Sequence, residues 1–361
     1  MITTEKERRD AIDYVKAIGI IAVVIGHYKH DIFDVFKPYL YHMPLFFFVG
    51  GLLFNTKKTY TDSIKNVISK YWLYIVINYI FIGTAAVIYK SHTRIHSLQQ
   101  PFDEGILSTI RYAIEGNMHT NGMFLVAWFL LSYSFIYLIF TVITKTLSKL
   151  DAGKLSVAIF FISIIAGMIG YFITSKTYIS TKVFYFNNIS QILVGGMFFG
   201  FGFCSKKYIF KLLHPNSFLL AMIILIALTK LNLIYPMSIA WSKYELGVYN
   251  LILPPLLCIY CVFFISSMIS KSTDFKLLKW IGKNTKPVMS YHLLSFLILD
   301  SIFSIIGVYD LAKSSALSHY NNSYIWWLYV AFGTIAPIVF QMAFNKFIIS
   351  TSGILNLIKL R

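Results

Sequence analysis

Residues 11–28 read Ala11-Ile12-Asp13-Tyr14-Val15-Lys16-Ala17-Ile18-Gly19-Ile20-Ile21-Ala22-Val23-Val24-Ile25-Gly26-His27-Tyr28. Ten uncharged residues separate Lys16 from His27. The run is entered from the charged segment Met1–Asp10, and no small-residue cleavage pattern follows, so it reads as a retained membrane helix and not as a removed leader. In a helix an eleven-residue step returns to within about 20° of the same face while rising roughly 16 Å. Lys16 and His27 therefore share one stripe, at opposite depths.

The rest of the chain repeats that apolar character. Of 361 residues, 57% are apolar, 17% aromatic and only 13% charged, and the mean hydropathy is +0.67. Soluble domains hold about 45–50% apolar and about 25% charged residues, so this composition excludes an ordinary soluble fold. Apolar stretches bounded by Lys, Tyr and Trp occur at 11–28, 38–54, 71–89, 122–144, 155–174, 189–204, 217–235, 246–269, 288–308 and 324–344. They predict an all-α polytopic bundle of about ten transmembrane helices, in a single domain over 1–361 with no appended soluble domain. The stretches 38–54 and 189–204 are short for a span of about 20 residues, and Lys230 interrupts 217–235.

The basic residues set an orientation. With the N-terminus inside, the inner loops hold Lys57, Lys58, Lys65, Lys70, Lys145, Lys149, Lys154, Lys206, Lys207, Lys211, Lys271, Lys276, Lys279, Lys283 and Lys286. Adding the two terminal segments and Lys16 places 22 of the 32 basic residues inside. This bias predicts a multi-pass protein of the cytoplasmic membrane with both termini in the cytoplasm. The net charge of +17 then reflects topology and attraction to anionic lipid, and no nucleic-acid partner follows from it. Cys204, Cys258 and Cys261 fall within or at the ends of apolar stretches and make no disulfide framework. The sequence contains no P-loop, Gly-x-Ser-x-Gly elbow or His-Glu-x-x-His, which removes the usual nucleotide hydrolases, serine hydrolases and zinc proteases. No metal is expected.

Ionisable groups inside apolar stretches are costly and default to functional candidates. Lys16 and His27 suit a long anionic donor reaching in from the cytoplasm, with a cation for phosphates at one end and an imidazole as base or nucleophile at the other. Coenzyme A has that shape. The plainer alternative is that Lys16 snorkels to one interface and His27 marks the other.

Further residues extend the pattern. Lys16-x10-His27 is followed by Phe36-Lys37-Pro38-Tyr39-Leu40-Tyr41-His42-Met43-Pro44-Leu45-Phe46-Phe47-Phe48-Val49-Gly50-Gly51, later by Trp128-Phe129-Leu130, and then by Ile281-Gly282-Lys283-Asn284-Thr285 leading to Tyr291-His292. In this order the four segments resemble the membrane acyltransferase-3 family, with Gly50 where a serine is common. The resemblance implies a bundle of about ten helices that moves an acyl group from cytoplasmic acyl-CoA, acetyl-CoA first among them, to a carbohydrate. The implied acceptor is a bacterial envelope polysaccharide or its lipid-linked precursor. His27 becomes the catalytic histidine and Lys16 its basic partner. Membrane lipid and polysaccharide-assembly proteins are the implied partners, and the Arg-x-x-Arg pair of many relatives is absent near Lys65 and Lys70.

Position along the spans adds supporting candidates. His42 is expected at the depth of His27 across a short hairpin, and Asp31 could orient the His27 imidazole. His292 is expected near the cytoplasmic end of its helix, at the depth of Lys16, with Lys283, Asn284 and Lys286 meeting phosphates. Trp128 could stack on a sugar, and the cluster at 324–329 reads as an interfacial belt. As a base, His27 would take the proton of a sugar hydroxyl; as a nucleophile, it would carry the acyl group itself. The rival class is a transporter or flippase of lipid-linked glycans, to which Pro254-Pro255 could supply a helix interruption.

Overall fold

The computed structural model of the chain describes residues 4–28, 37–93, 102–115 and 117–358. Asp31 lies outside the described residues. The described residues form fourteen α-helices, with short 3-10 and π segments among them, and contain no strand. In chain order they are α1 (Glu5–Tyr28), α2 (His42–Leu52), α3 (Tyr60–Val67), α4 (Leu73–Thr93), α5 (Ile106–Ile114), α6 (Ala127–Thr146) and α7 (Ala152–Ile169). Then come α8 (Lys176–Thr181), α9 (Phe184–Ser205), α10 (Pro215–Lys230), α11 (Val248–Ser272), α12 (Lys276–Lys283), α13 (Thr285–Ile305) and α14 (Trp326–Ile358).

Eight helical segments are long and apolar enough to cross a membrane, and α2 and α10 are shorter apolar helices. Together they account for all ten stretches of the sequence. Two of the eight are composites. One-turn π segments at Ile68–Trp72 and Gly170–Ser175 join α3 to α4 and α7 to α8 without breaking the helical path. The outer surface is rich in exposed apolar side chains, for example Val76, Ile77 and Ile80 on α4 and Leu219, Leu220 and Ile223 on α10. A water-soluble protein does not expose apolar surface on that scale, whereas lipid solvates it.

Local chemistry starts and seats the elements. Thr4 and Glu7 form a reciprocal capping box at the head of α1, the Glu7 amide donating to Thr4 Oγ1 at 3.1 Å and the Thr4 amide to Glu7 Oε2 at 3.3 Å. Asp151 caps α7 through the amides of Gly153 and Lys154, both at 2.9 Å. α2 and α9 cross with their backbones in contact, Gly51 lying against the Phe199 carbonyl and Gly202 against the Phe48 carbonyl, the close approach that small residues permit between membrane helices. Gly282 does the same for α12, which rests on the Asp13 carbonyl of α1. α1 packs against α2, α11, α12, α13 and α14, and is thus the pillar of the bundle.

The two ends of the bundle differ in chemistry. At the head of α1, Arg8 donates to the Lys206 carbonyl at 2.8 Å and Lys206 to the Phe54 carbonyl at 3.0 Å. Lys279 pairs there with Asp10 at 3.2 Å and Asp274 at 2.5 Å, and these two carboxylates hold its ammonium well above the usual lysine range. The basic loops after α2, α9 and α11 therefore meet at one end. At the other end, residues 231–247 between α10 and α11 fold inward: the Ala240 carbonyl accepts from His119 Nε2 at 3.2 Å, Asn187 Nδ2 at 3.0 Å and Gln191 Nε2 at 2.8 Å.

Candidate active site

α1, α2 and α13 bring three histidines together. The ring centroids of His27 and His292 are 5.0 Å apart and those of His27 and His42 are 6.5 Å apart. Each ring is fixed by the helix or turn that carries it. Nδ1 of His27 donates to the Val23 carbonyl at 2.8 Å, Nδ1 of His42 to the Pro38 carbonyl at 2.5 Å, and Nδ1 of His292 to the Val288 carbonyl at 2.9 Å. A carbonyl only accepts, so Nδ1 holds the proton and Nε2 the lone pair in each neutral ring.

The three rings line one cavity of about 50 Å³, closed by Trp128 and by the inward-folded Met237, Ser238, Ile239 and Ala240. Tyr39 packs beside His42 at 5.1 Å and His27 at 6.0 Å between ring centroids. The cavity therefore sets three imidazoles against a largely apolar wall, where charge interactions are stronger than in water.

Lys16 opens into a second cavity, of about 270 Å³, lined in addition by Gly50, Tyr71, Tyr133, Thr285, Lys286 and Met289. Its ammonium pairs with Asp13, one turn nearer the head of α1, at 2.7 Å. Lys286 lies 3.5 Å from the Tyr74 ring centroid and donates to the Lys70 carbonyl at 2.5 Å. Lys70 and Tyr71 belong to the π segment that joins α3 to α4, a feature that redirects backbone groups and is frequent at functional sites. Both cavities run along α1, α2, α6 and α13, with His27, Met43, Trp128 and His292 at one and Lys16, Phe46, Phe129 and Met289 at the other.

The structure thus unites His27, His42, His292 and Trp128, and it departs from the expected depth of His292. That residue lies against His27, away from Lys16, because α13 begins at Thr285 beside Lys16 and His292 is two turns farther along. Lys283 and Asn284 do not line the Lys16 cavity: Lys283 is exposed at the end of α12, and Asn284 Nδ2 donates to the Trp280 carbonyl at 2.7 Å. Thr285 and Lys286 occupy that place. Tyr39, Tyr74, Asp13 and the 237–240 segment were not singled out by the sequence, since aromatic residues abound and loop contacts have no periodicity. Tyr329, within the cluster read as a belt, is buried and stacks on Tyr28 at 4.6 Å between centroids, while Tyr324 and Trp327 are exposed. Among the described residues, no group of three His, Cys, Asp or Glu side chains is arranged to hold a metal ion.

A family model described as an acyltransferase domain matches residues 9–345. No curated protein and no solved structure matches the chain. The matched span runs from the first turns of α1 into α14 and contains every residue of both cavities. With eight helices able to span a bilayer, this is a multi-pass membrane protein, an acyltransferase that uses an acyl donor, and it belongs to the acyltransferase-3 family.

Proposed function

We propose that this acyltransferase takes an acetyl group from acetyl-CoA on the cytoplasmic side of the cytoplasmic membrane. It passes the group to a hydroxyl of a cell-envelope polysaccharide or its lipid-linked precursor, in a bacterial cell. The observation that carries the reading is the pair of cavities stacked along α1, one at Lys16 and one at His27. The Lys16 cavity offers two ammonium groups, from Lys16 and Lys286, to the phosphates of a nucleotide thioester. A thin pantetheine arm could then run between α1, α2, α6 and α13 towards His27, roughly 16 Å away by helix rise.

The clustering of basic loops at the head of α1 supports a cytoplasmic position for that end and for both termini. The acceptor then reaches the His27 end from the far side, past the 237–240 segment and Trp128. Lipid-linked acceptor, surrounding membrane lipid and the proteins that assemble the polysaccharide are the partners of this reading.

Mass spectrometry of surface glycans from cells carrying the wild-type protein, the His27→Ala variant or a gene deletion tests it. Loss of an acetyl increment in both mutants, with glycan length and export intact, is the expected result. Glycan that fails to reach the surface, with no change in acyl mass, would instead make the protein a flippase and overturn the reading.

A further inference from the structure

We infer that His292 is a second catalytic residue, the base that takes the proton of the acceptor hydroxyl, while His27 carries the acyl group. The inference rests on the acyl-transfer reading above. It starts from the cavity itself, which His27 and His292 line together. Two imidazoles facing one cavity can divide an acyl transfer into successive halves, one taking up the acyl group and the other activating the hydroxyl.

The two imidazoles are suited to different halves of that sequence. His27 is only half-buried and shares its stripe with Lys16, so it can meet the donor. His292 is 1% exposed and lines the same cavity as His27, 5.0 Å away between centroids. Its Nδ1–H is committed to the Val288 carbonyl at 2.9 Å, and its Nε2 is buried with no hydrogen-bond partner among the described residues. A buried acceptor left unpaired costs about 1–3 kcal/mol, and natural proteins keep such atoms where a ligand or a proton will meet them. An O–H donor placed next to His27 satisfies it.

The chemistry balances. In the first half, His27 Nε2 attacks the thioester carbonyl carbon, the N–C bond forms, the C–S bond breaks and the thiolate leaves with the electron pair. The His27 Nδ1 proton stays on its bond to Val23, so the product is an acyl-imidazolium and no base is needed. In the second half, the acceptor oxygen attacks the acyl carbon as its proton passes to His292 Nε2. The C–N bond breaks and its electron pair returns to His27 Nε2. The proton on His292 then leaves to solvent and offsets the thiolate released earlier.

The test uses proteoliposomes of the full chain with two probes. Exchange of radiolabelled coenzyme A into acetyl-CoA reads the first half alone, and label passed from acetyl-CoA to glycan in native membranes reads the whole reaction. For His292→Gln, exchange is expected to stay within about threefold of wild type while transfer falls by about 10² to 10⁴, the usual worth of a general base. His27→Ala should lose both. Retained exchange also proves that the variant folds; if Gln does not fold, His292→Asn and His292→Phe give the same comparison. Wild-type transfer without exchange, full transfer by a His292 variant, or loss of exchange in a His292 variant that melts like wild type would each overturn the inference. Absence of glycan labelling by wild type is a different failure, that of the acyl-transfer reading itself.

Discussion

Nδ1 of His319 donates to Oδ2 of Asp300 at 2.8 Å, and neither side chain is accessible to solvent. The same carboxyl group accepts from Ser314 Oγ at 2.8 Å, from the Tyr329 hydroxyl at 2.5 Å and from the Tyr320 amide at 3.0 Å. Four donors fill the capacity of one carboxylate, and all of them lie in or beyond the loop after α13. Asp300 thus fastens residues 314–320 and the start of α14 to α13. Removing it takes the shared acceptor away from all four. Asp300→Ala is therefore expected to lower stability by about 3–5 kcal/mol, read as a fall in melting temperature in detergent, and Asp300→Asn by less.

The two cations of the Lys16 cavity give a kinetic prediction. Lys16→Met and Lys286→Met should each raise the KM for acetyl-CoA by about tenfold, the worth of one charge-assisted hydrogen bond, and change kcat much less. Initial-rate assays over a donor concentration series check this. A loss confined to kcat would place these lysines at the reacting atoms instead.

Close backbone approach predicts a sharp contrast between neighbouring glycines. A Cβ at Gly202 would run into the Phe48 carbonyl of α2, whereas one at Gly196, six residues earlier on α9, meets nothing within 4 Å. Gly202→Ala should cost about 1–3 kcal/mol through forced separation of α2 and α9. Gly196→Ala should be neutral or stabilise by up to about 1 kcal/mol through helix propensity. Melting curves of the two purified variants decide it.

His119, in the turn before α6, is buried against Trp241, their ring centroids 4.0 Å apart. Burial lowers its pKa to about 4, against a smaller opposite effect of its bond to Ala240. An unfolded histidine titrates near 6.5, so between these values the unfolded chain binds the extra proton. Stability is then complete above about pH 6.5 and declines as pH falls towards 4. The decline attributable to His119 should be about 2 kcal/mol between pH 7.5 and pH 5, and His119→Phe should remove that part. Melting temperatures measured against pH for both proteins test the difference.

The ten apolar stretches, the Lys16–His27 stripe and the clustering of basic loops were all legible in the sequence. Each depends on a local cause: apolar length on bilayer thickness, the stripe on helical period and the charge bias on short loops. All ten stretches became helices. The sequence also carried His42 and Trp128 into the site, because they stand at the ends of helices adjacent to His27 in depth.

What only the tertiary structure decided is which of these helices touch, and in what register. His27 and His292 lie 5.0 Å apart although 265 positions separate them, and that pairing depends on where α13 starts beside α1. The start is set by Gly282 seated on the Asp13 carbonyl, a contact invisible in composition or period. For the same reason Lys286 displaced Lys283 and Asn284 from the Lys16 cavity, and Asp300 acquired its four donors only from the loop and the first turn of α14 that return over α13. Helix formation is written in neighbouring residues, but register between helices is fixed by small residues and buried polar atoms that find their partners far along the chain.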